Sequence, residues 1–276
     1  MQGTEIKNKQ IPVAIITGAG SGIGLHFAQT LFEQQYKLCL VDVNLEGIKS
    51  AMPVSDKIMF KTMDVRSVEA WQNILQDVLQ TYGHVDYLFN FAGIVQPGFI
   101  YDTDIANIDK HLDINAKGSM YGTKIVGDCM KGQGSGHIIN IASLAGIAPV
   151  PGIALYSASK FAIRGFSLAA AYEYKPFGVT ISVVCPDLVK TPMYDLELEY
   201  TNETALVFSG NIQALLPADV TDAILKLMQS KKQEICIPAS RGRLAKLAAL
   251  WPWLADRVRA SLTRKGLAQI KKLRED

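Results

Sequence analysis

Long apolar runs are missing from this 276-residue chain, and so is any cysteine or histidine pattern of the kind that holds metal. Nowhere do apolar residues continue far enough to cross a bilayer. The polar start MQGTEIKNKQ, with a glycine-broken apolar run behind it, resembles neither a signal peptide nor a span. The expectation is a soluble, cytoplasmic protein. Four cysteines, Cys39, Cys129, Cys185 and Cys236, form no framework and read as buried, reduced thiols. His26, His84, His111 and His137 lack ligand-like spacing, so no metal is expected. Excess charge of one sign is also missing. A net +2 argues against a nucleic-acid binder working mainly through charge.

What is present is hydrophobic content, 49% of the chain, enough for one large core in a single generous domain. Short Val/Ile/Leu-rich runs at 13–17, 38–41, 58–62, 85–90, 137–141, 180–185 and 234–237 read as strands. Helical apolar spacing falls between them, at 23–34, 68–82, 108–130, 157–174 and 217–228. This alternation predicts an α/β fold, a doubly wound parallel sheet of Rossmann type with helices on both faces. In such sheets ligands bind beyond the carboxyl ends of the strands.

The first strand runs into Thr17-Gly18-Ala19-Gly20-Ser21-Gly22-Ile23-Gly24 and then a helix. Glycines there permit a tight turn and let a pyrophosphate approach backbone amides at the helix N-terminus. Asp42 closes the second strand, where a carboxylate accepts ribose hydroxyls and repels a 2′-phosphate. No Lys or Arg lies in the turn or directly after Asp42, so NAD is the cofactor expected. Asp64-Val65 and Asn90-Phe91-Ala92-Gly93 end the next two strands.

Ser143 follows the fifth strand, and Tyr156 and Lys160 stand four apart at the start of a helix. That spacing puts phenol and ammonium on one face, one turn apart. A neighbouring cation favours the phenolate, so Lys160 is expected to lower the Tyr156 pKa from about 10. Tyr156 would then serve as general acid or base in carbonyl reduction or alcohol oxidation.

Taken together, TGAGSGIG (17–24), Asp42, DV (64–65), NFAG (90–93), Asn115 in HLDINAKG, Ser143 in NIASLAG, YSASK (156–160) and PDLVKTP (186–192) resemble the short-chain dehydrogenase/reductase family, in its compact single-domain branch. The likeness covers roughly residues 11 to 240. It implies that Tyr156 exchanges a proton with the substrate oxygen while Ser143 orients that oxygen. It implies that Lys160 lowers the Tyr156 pKa and holds the nicotinamide ribose, that Asn115 anchors a proton-relaying water, and that Thr191 meets the nicotinamide carboxamide. Gly18, Ser21, Gly22, Ile23, Gly24, Asp42, Asp64, Val65, Asn90, Ala92 and Gly93 would complete the cofactor contacts. Assembly as a homodimer or homotetramer through 108–130 and 157–174 is likewise implied. The chain departs from the family pattern at Phe91, where a second Asn is usual, and at Asp187, where a Gly is common. Phe91 is expected to alter packing only. Asp187 is expected to face water, the other reading being a perturbed field near the nicotinamide. A protein that keeps the fold but only senses NAD, or acts as a scaffold, is the alternative to an enzyme.

Apolar segments at 94–97, 144–146, 150–151 and 193–194 suggest a lipophilic alcohol or carbonyl substrate, and the family resemblance implies a mobile lid at 193–210. Residues 1–240 read as the catalytic domain, and 241–276 as a basic amphipathic helical extension. That tail carries ten Lys or Arg against three acids, with Leu244, Leu247, Ala248 and Trp251 at helical spacing before Pro252. Two readings stay open for it: packing on the body or a neighbouring subunit, and peripheral contact with an anionic membrane.

Overall fold

Strand-forming runs buried on both sides become a sheet whose residues alternate between two cores. The structure, a computed structural model, describes residues 10–200, 202–210 and 213–275. In chain order the main elements are β1 (Val13–Thr17), α1 (Gly22–Glu33), β2 (Lys37–Asp42), α2 (Glu46–Ala51), β3 (Ile58–Thr62), α3 (Val68–Tyr82) and β4 (Tyr87–Asn90). There follow α4 (Ala106–His111), α5 (Gly118–Gln133), β5 (Gly136–Ile141), α6 (Ala154–Tyr174), β6 (Val179–Pro186), α7 (Pro192–Leu198) and α8 (Ala205–Phe208). The last are α9 (Pro217–Ser230), β7 (Glu234–Ile237), α10 (Ala239–Leu250) and α11 (Pro252–Glu275). The strands pair in parallel in the order β3-β2-β1-β4-β5-β6-β7, so the order reverses between β1 and β4.

The period of two along β1 sends Ala14 and Ile16 to one face, with Phe27 and Leu31 of α1 and Ile224 and Leu227 of α9. Val13 and Ile15 go to the other, with Trp71 of α3, Val126 of α5 and Ala170 of α6. The expected doubly wound sheet is therefore present, covered on both faces.

Two elements differ from their sequence reading. The fourth strand begins at Tyr87 rather than Val85, because the Gln133 carboxamide takes both backbone groups of Val85, at 3.1 and 2.8 Å. The helix expected over 108–130 is interrupted by a π turn, Leu112–Lys117. Asn115 sits in that turn, and its carboxamide bonds both backbone groups of Ile94, which the regular helical spacing of 108–130 does not announce.

Beneath the sheet end, Asn90 Nδ2 donates to Asn140 Oδ1 (2.8 Å), and Asn140 Nδ2 donates to Ser167 Oγ (2.9 Å). These buried bonds fasten β4 and β5 to α6. At the lower end of β5, His137 Nε2–H donates to Ser182 Oγ (2.9 Å), whose own proton goes to Lys232 O (2.7 Å). His137 Nδ1 is buried with no partner among the described residues.

The C-terminal segment folds back as α10 and α11. Asp187 does not face water: its side chain is 9% exposed, and Oδ2 accepts from Arg241 Nε at 2.8 Å. The loop after β6 passes directly under α10, which buries the carboxylate and supplies its cation. At the other end Ile270 is buried with Tyr194, Leu206 and Val207. Gly266 lets α11 approach that closely, since a Cβ there would lie 2.2 Å from Val207 O.

Replacing Asp187 by Ala should release α10 and lower stability by about 1.5–3 kcal/mol, the range for a hydrogen bond to a charged group. Urea unfolding checks this, and an unchanged midpoint would refute the clamp. His137 adds a pH dependence. Burial holds its pKa near about 4, below the ordinary value of 6.5. The unfolded chain takes up this proton near pH 6.5 and the native one only near 4. Stability should therefore fall between those values, by about 1.4 kcal/mol per pH unit, and His137→Gln should lack that component.

Candidate active site

The carboxyl ends of β1, β4, β5 and β6 open into one cleft of about 910 Å³. Its first half is built on the glycine turn. Gly18 has φ +65°, and a Cβ at Gly24 would lie 2.1 Å from Gly18 O, so no side chain fits where α1 starts. Gly18, Ser21, Gly22, Ile23 and Gly24 all line the cleft, with Asp42, Asp64, Val65, Ala92 and Gly93. Asp42 Oδ2 accepts the Gly20 N–H (2.8 Å) and Oδ1 accepts the Asn44 N–H (3.1 Å), which fixes the carboxylate against the turn. Asp64 is gripped by Arg66 at 2.6 Å, and those hydrogen bonds hold its carboxyl below the ordinary range. Thr191, at the start of α7, stands against Gly22, with Cγ2 3.1 Å from where a Cβ would be. Phe91 packs its ring on Phe27 (5.5 Å) and Phe89 (6.2 Å), the packing role expected of it.

Ser143, Tyr156 and Lys160 line the same cleft. Ser143 Oγ accepts the Ala145 N–H (3.1 Å) and donates to Pro186 O (3.4 Å), and its hydroxyl favours the Tyr156 phenolate. Lys160 Nζ lies 5.4 Å from the centre of the Tyr156 ring and donates to Ile141 O at 2.8 Å. Burial pushes the Lys160 ammonium down to about 8.

One expectation about this group is corrected. The Tyr156 pKa is raised, not lowered: burial dominates, Glu197 and Cys185 add to it, and the Ser143 hydroxyl opposes it. The Lys160 ammonium is committed to a backbone carbonyl rather than to the phenol oxygen.

Two predicted residues stand behind the cleft rather than in its wall. Asn90 is 2% exposed and spent on Asn140, because the strand alternation turns it toward α5. Asn115 gives Nδ2 hydrogens to Ile94 O and Ser159 Oγ, both at 2.9 Å, and Oδ1 accepts the Ile94 N–H at 2.8 Å. Both amide hydrogens of Asn115 go to protein partners, and its carboxamide positions the loop beside Gly93.

The substrate half is mostly apolar, with Ile94, Leu144, Ala145, Val150, Pro151, Met193 and Tyr194 in the wall as expected. Val95, Gln96, Pro97 and Gly146, also expected there, are not in the wall; Gln96 instead donates to Tyr200 Oη (2.5 Å) while its N–H donates to His111 Nε2 (3.1 Å). The sequence reading missed several members. Ser159 is inside YSASK, where its spacing from Tyr156 is visible but its bond to Asn115 is not. Glu197 of α7 is buried, accepting from Thr204 Oγ1 and the Ala205 N–H, both at 2.7 Å. Arg241, Leu244, Ala248, Arg259 and Leu262 reach the cleft from the C-terminal helices. No local signal could reveal that return. The same is true of Cys185, Cys236 and Glu234, whose ligand atoms gather within 4.8 Å, although Arg164 and Lys246 already hold the carboxylate at 2.7 Å each.

Comparison with known proteins agrees with this geometry. The family model for short chain dehydrogenase matches residues 12–200. A 3-alpha-(or 20-beta)-hydroxysteroid dehydrogenase of Mycobacterium tuberculosis is 31% identical over 216 residues, covering 78% of this chain and 81% of its own. An uncharacterized oxidoreductase of Thermotoga maritima is 34% identical over 183 residues, covering 65% and 72%. Among solved structures, levodione reductase superposes with a TM-score of 0.76 at 25% identity, covering 84% of this chain and 98% of its own. ElxO with NADP bound gives 0.73 at 25% identity, covering 82% and 97%. With its glycine turn, its parallel sheet and its Ser143, Tyr156 and Lys160 in one cleft, the chain belongs to the short chain dehydrogenase family of oxidoreductases.

Proposed function

We propose that the protein moves a hydride between NAD(H) and a secondary alcohol or ketone of a lipophilic substrate, with Tyr156 as general acid and base. The carrying observation is the meeting of Ser143, Tyr156 and Lys160 in an apolar cleft whose other end is the Asp42-braced glycine turn. A nicotinamide dinucleotide bound across the two halves would supply or accept the hydride. Ser143 Oγ orients the substrate oxygen, and Tyr156 Oη holds the proton that this oxygen gains or loses. Burial keeps that phenol protonated, so it gives its proton to the forming alkoxide in reduction and takes it back in oxidation. The Lys160 ammonium beneath the ring supports the phenolate that is left.

Asp42 supports NAD. Its carboxylate, fixed by two backbone amides, suits a ribose diol and opposes a 2′-phosphate. Val43 and Asn44 follow it, and Arg66 on the same rim is held by Asp64. ElxO is recorded with NADP, and the reading for this chain rests on Asp42. The apolar wall supports a lipophilic substrate, as does kinship with a hydroxysteroid dehydrogenase.

A substrate screen following nicotinamide absorbance, with both cofactors in parallel, tests this. Hydrophobic ketones and NADH should be preferred; turnover of polyols alone, or preference for NADPH, would overturn the respective assignment. Asp42→Ser should narrow the NADH preference. Tyr156→Phe should cost about 10²–10⁴ in kcat, and retained activity would overturn the mechanism. Ketone reduction needs Lys160 charged, so kcat should decline as pH rises through about 8. An alkaline limb at pH 10 or above would assign control to the phenol instead.

A further inference from the structure

The cleft and an exposed apolar surface share one helix. On α10, Gly242 is buried against Cys236, so this side holds the helix to β7. Leu244 and Ala248 border the cleft. Leu247 and Trp251 continue that stripe beyond the cleft wall and, with Leu250 and, past the bend, Trp253, make an exposed outer face: Leu247 is 49% exposed, Leu250 69%, Trp251 48% and Trp253 59%. Exposed cations lie on the same two helices: Arg243 on α10, where Lys246 is paired with Glu234, and Arg264, Lys265, Lys271 and Lys272 along α11. The Arg257 guanidinium sits 5.2 Å over the Trp253 ring.

We propose that this outer face of α10, with the Trp251–Trp253 corner, docks on an anionic lipid bilayer and opens the cleft toward it. Indole rings favour the headgroup boundary, leucines enter the acyl edge, and Lys and Arg reach anionic headgroups. Each basic residue near such a surface strengthens partitioning several-fold. No helix among the described residues is long and apolar enough to cross a membrane, so the contact is peripheral. Charge selects this occupant over a second copy. A two-fold contact would set like charge against itself: each tail carries ten Lys or Arg against three acids, and of the ten Arg241 and Lys246 are already paired with Asp187 and Glu234. The docking stands apart from the catalytic reading; entry of substrate from the bilayer rests on it.

Cosedimentation of the full-length protein with phosphatidylcholine vesicles, with and without phosphatidylserine, tests the docking with no cofactor or substrate added. Binding should rise on the order of tenfold with phosphatidylserine and fall in high salt. It should also fall in the combined variant Leu247→Ser, Trp251→Ser, Trp253→Ser. These side chains lie outside the cleft wall, so thermal unfolding and NAD binding should stay at wild-type values. Absence of phosphatidylserine-dependent pelleting, or equal pelleting by the variant, would overturn the proposal. So would a wild-type dimer that the variant converts to monomer without any vesicle binding. For the entry route, turnover of a ketone embedded in phosphatidylserine vesicles should drop in the variant while that of a short soluble ketone holds. Equal turnover of the embedded ketone would overturn that route. Failure on both ketones by the wild type would remove the catalytic reading and leave the vesicle result standing.

Discussion

A single carboxamide ties together the parts that must not move relative to one another. Asn115 projects from a π turn, fixes both backbone groups of Ile94 after β4, and donates to Ser159 between Tyr156 and Lys160. Three segments distant in sequence are thereby held by bonds that a buried amide can make only in one geometry. The widened helical turn is the local cost of reaching that position, and helix widening of this kind commonly marks functional ground.

Around this clamp, burial rather than proximity of charge sets the electrostatics. The same desolvation raises the Tyr156 phenol and lowers the Lys160 ammonium, because each charged form loses water. Ile141 O receives the ammonium, so Lys160 is satisfied without pairing directly with the phenol. Glu197 adds negative potential from α7, which brings that helix into the electrostatics of the Tyr156 phenol.

The C-terminal helices complete the enclosure. Arg241 locks onto Asp187 just beyond β6, and Gly266 brings α11 against α8, so the helix pair roofs the side of the cleft opposite the glycine turn. Asp187 thus has a clear use in this chain at a position where the family commonly has glycine: it anchors an extension that shapes the pocket.

What the sequence by itself determined was whatever is local and periodic. The alternation of apolar runs made the doubly wound sheet legible, and the glycine turn, Asp42, Ser143, Tyr156 and Lys160 each carry their meaning within a few residues of a strand end. Contacts between distant segments were decided only by the tertiary structure. Asn90 faces inward because of strand register, Asn115 is spent on Ile94, and the phenol is raised because packing buries it. Leu244 and Leu262 belong to the cleft for the same reason. Burial and partner choice are properties of the packed chain, and no spacing along the sequence encodes which surface a distant helix will return to cover.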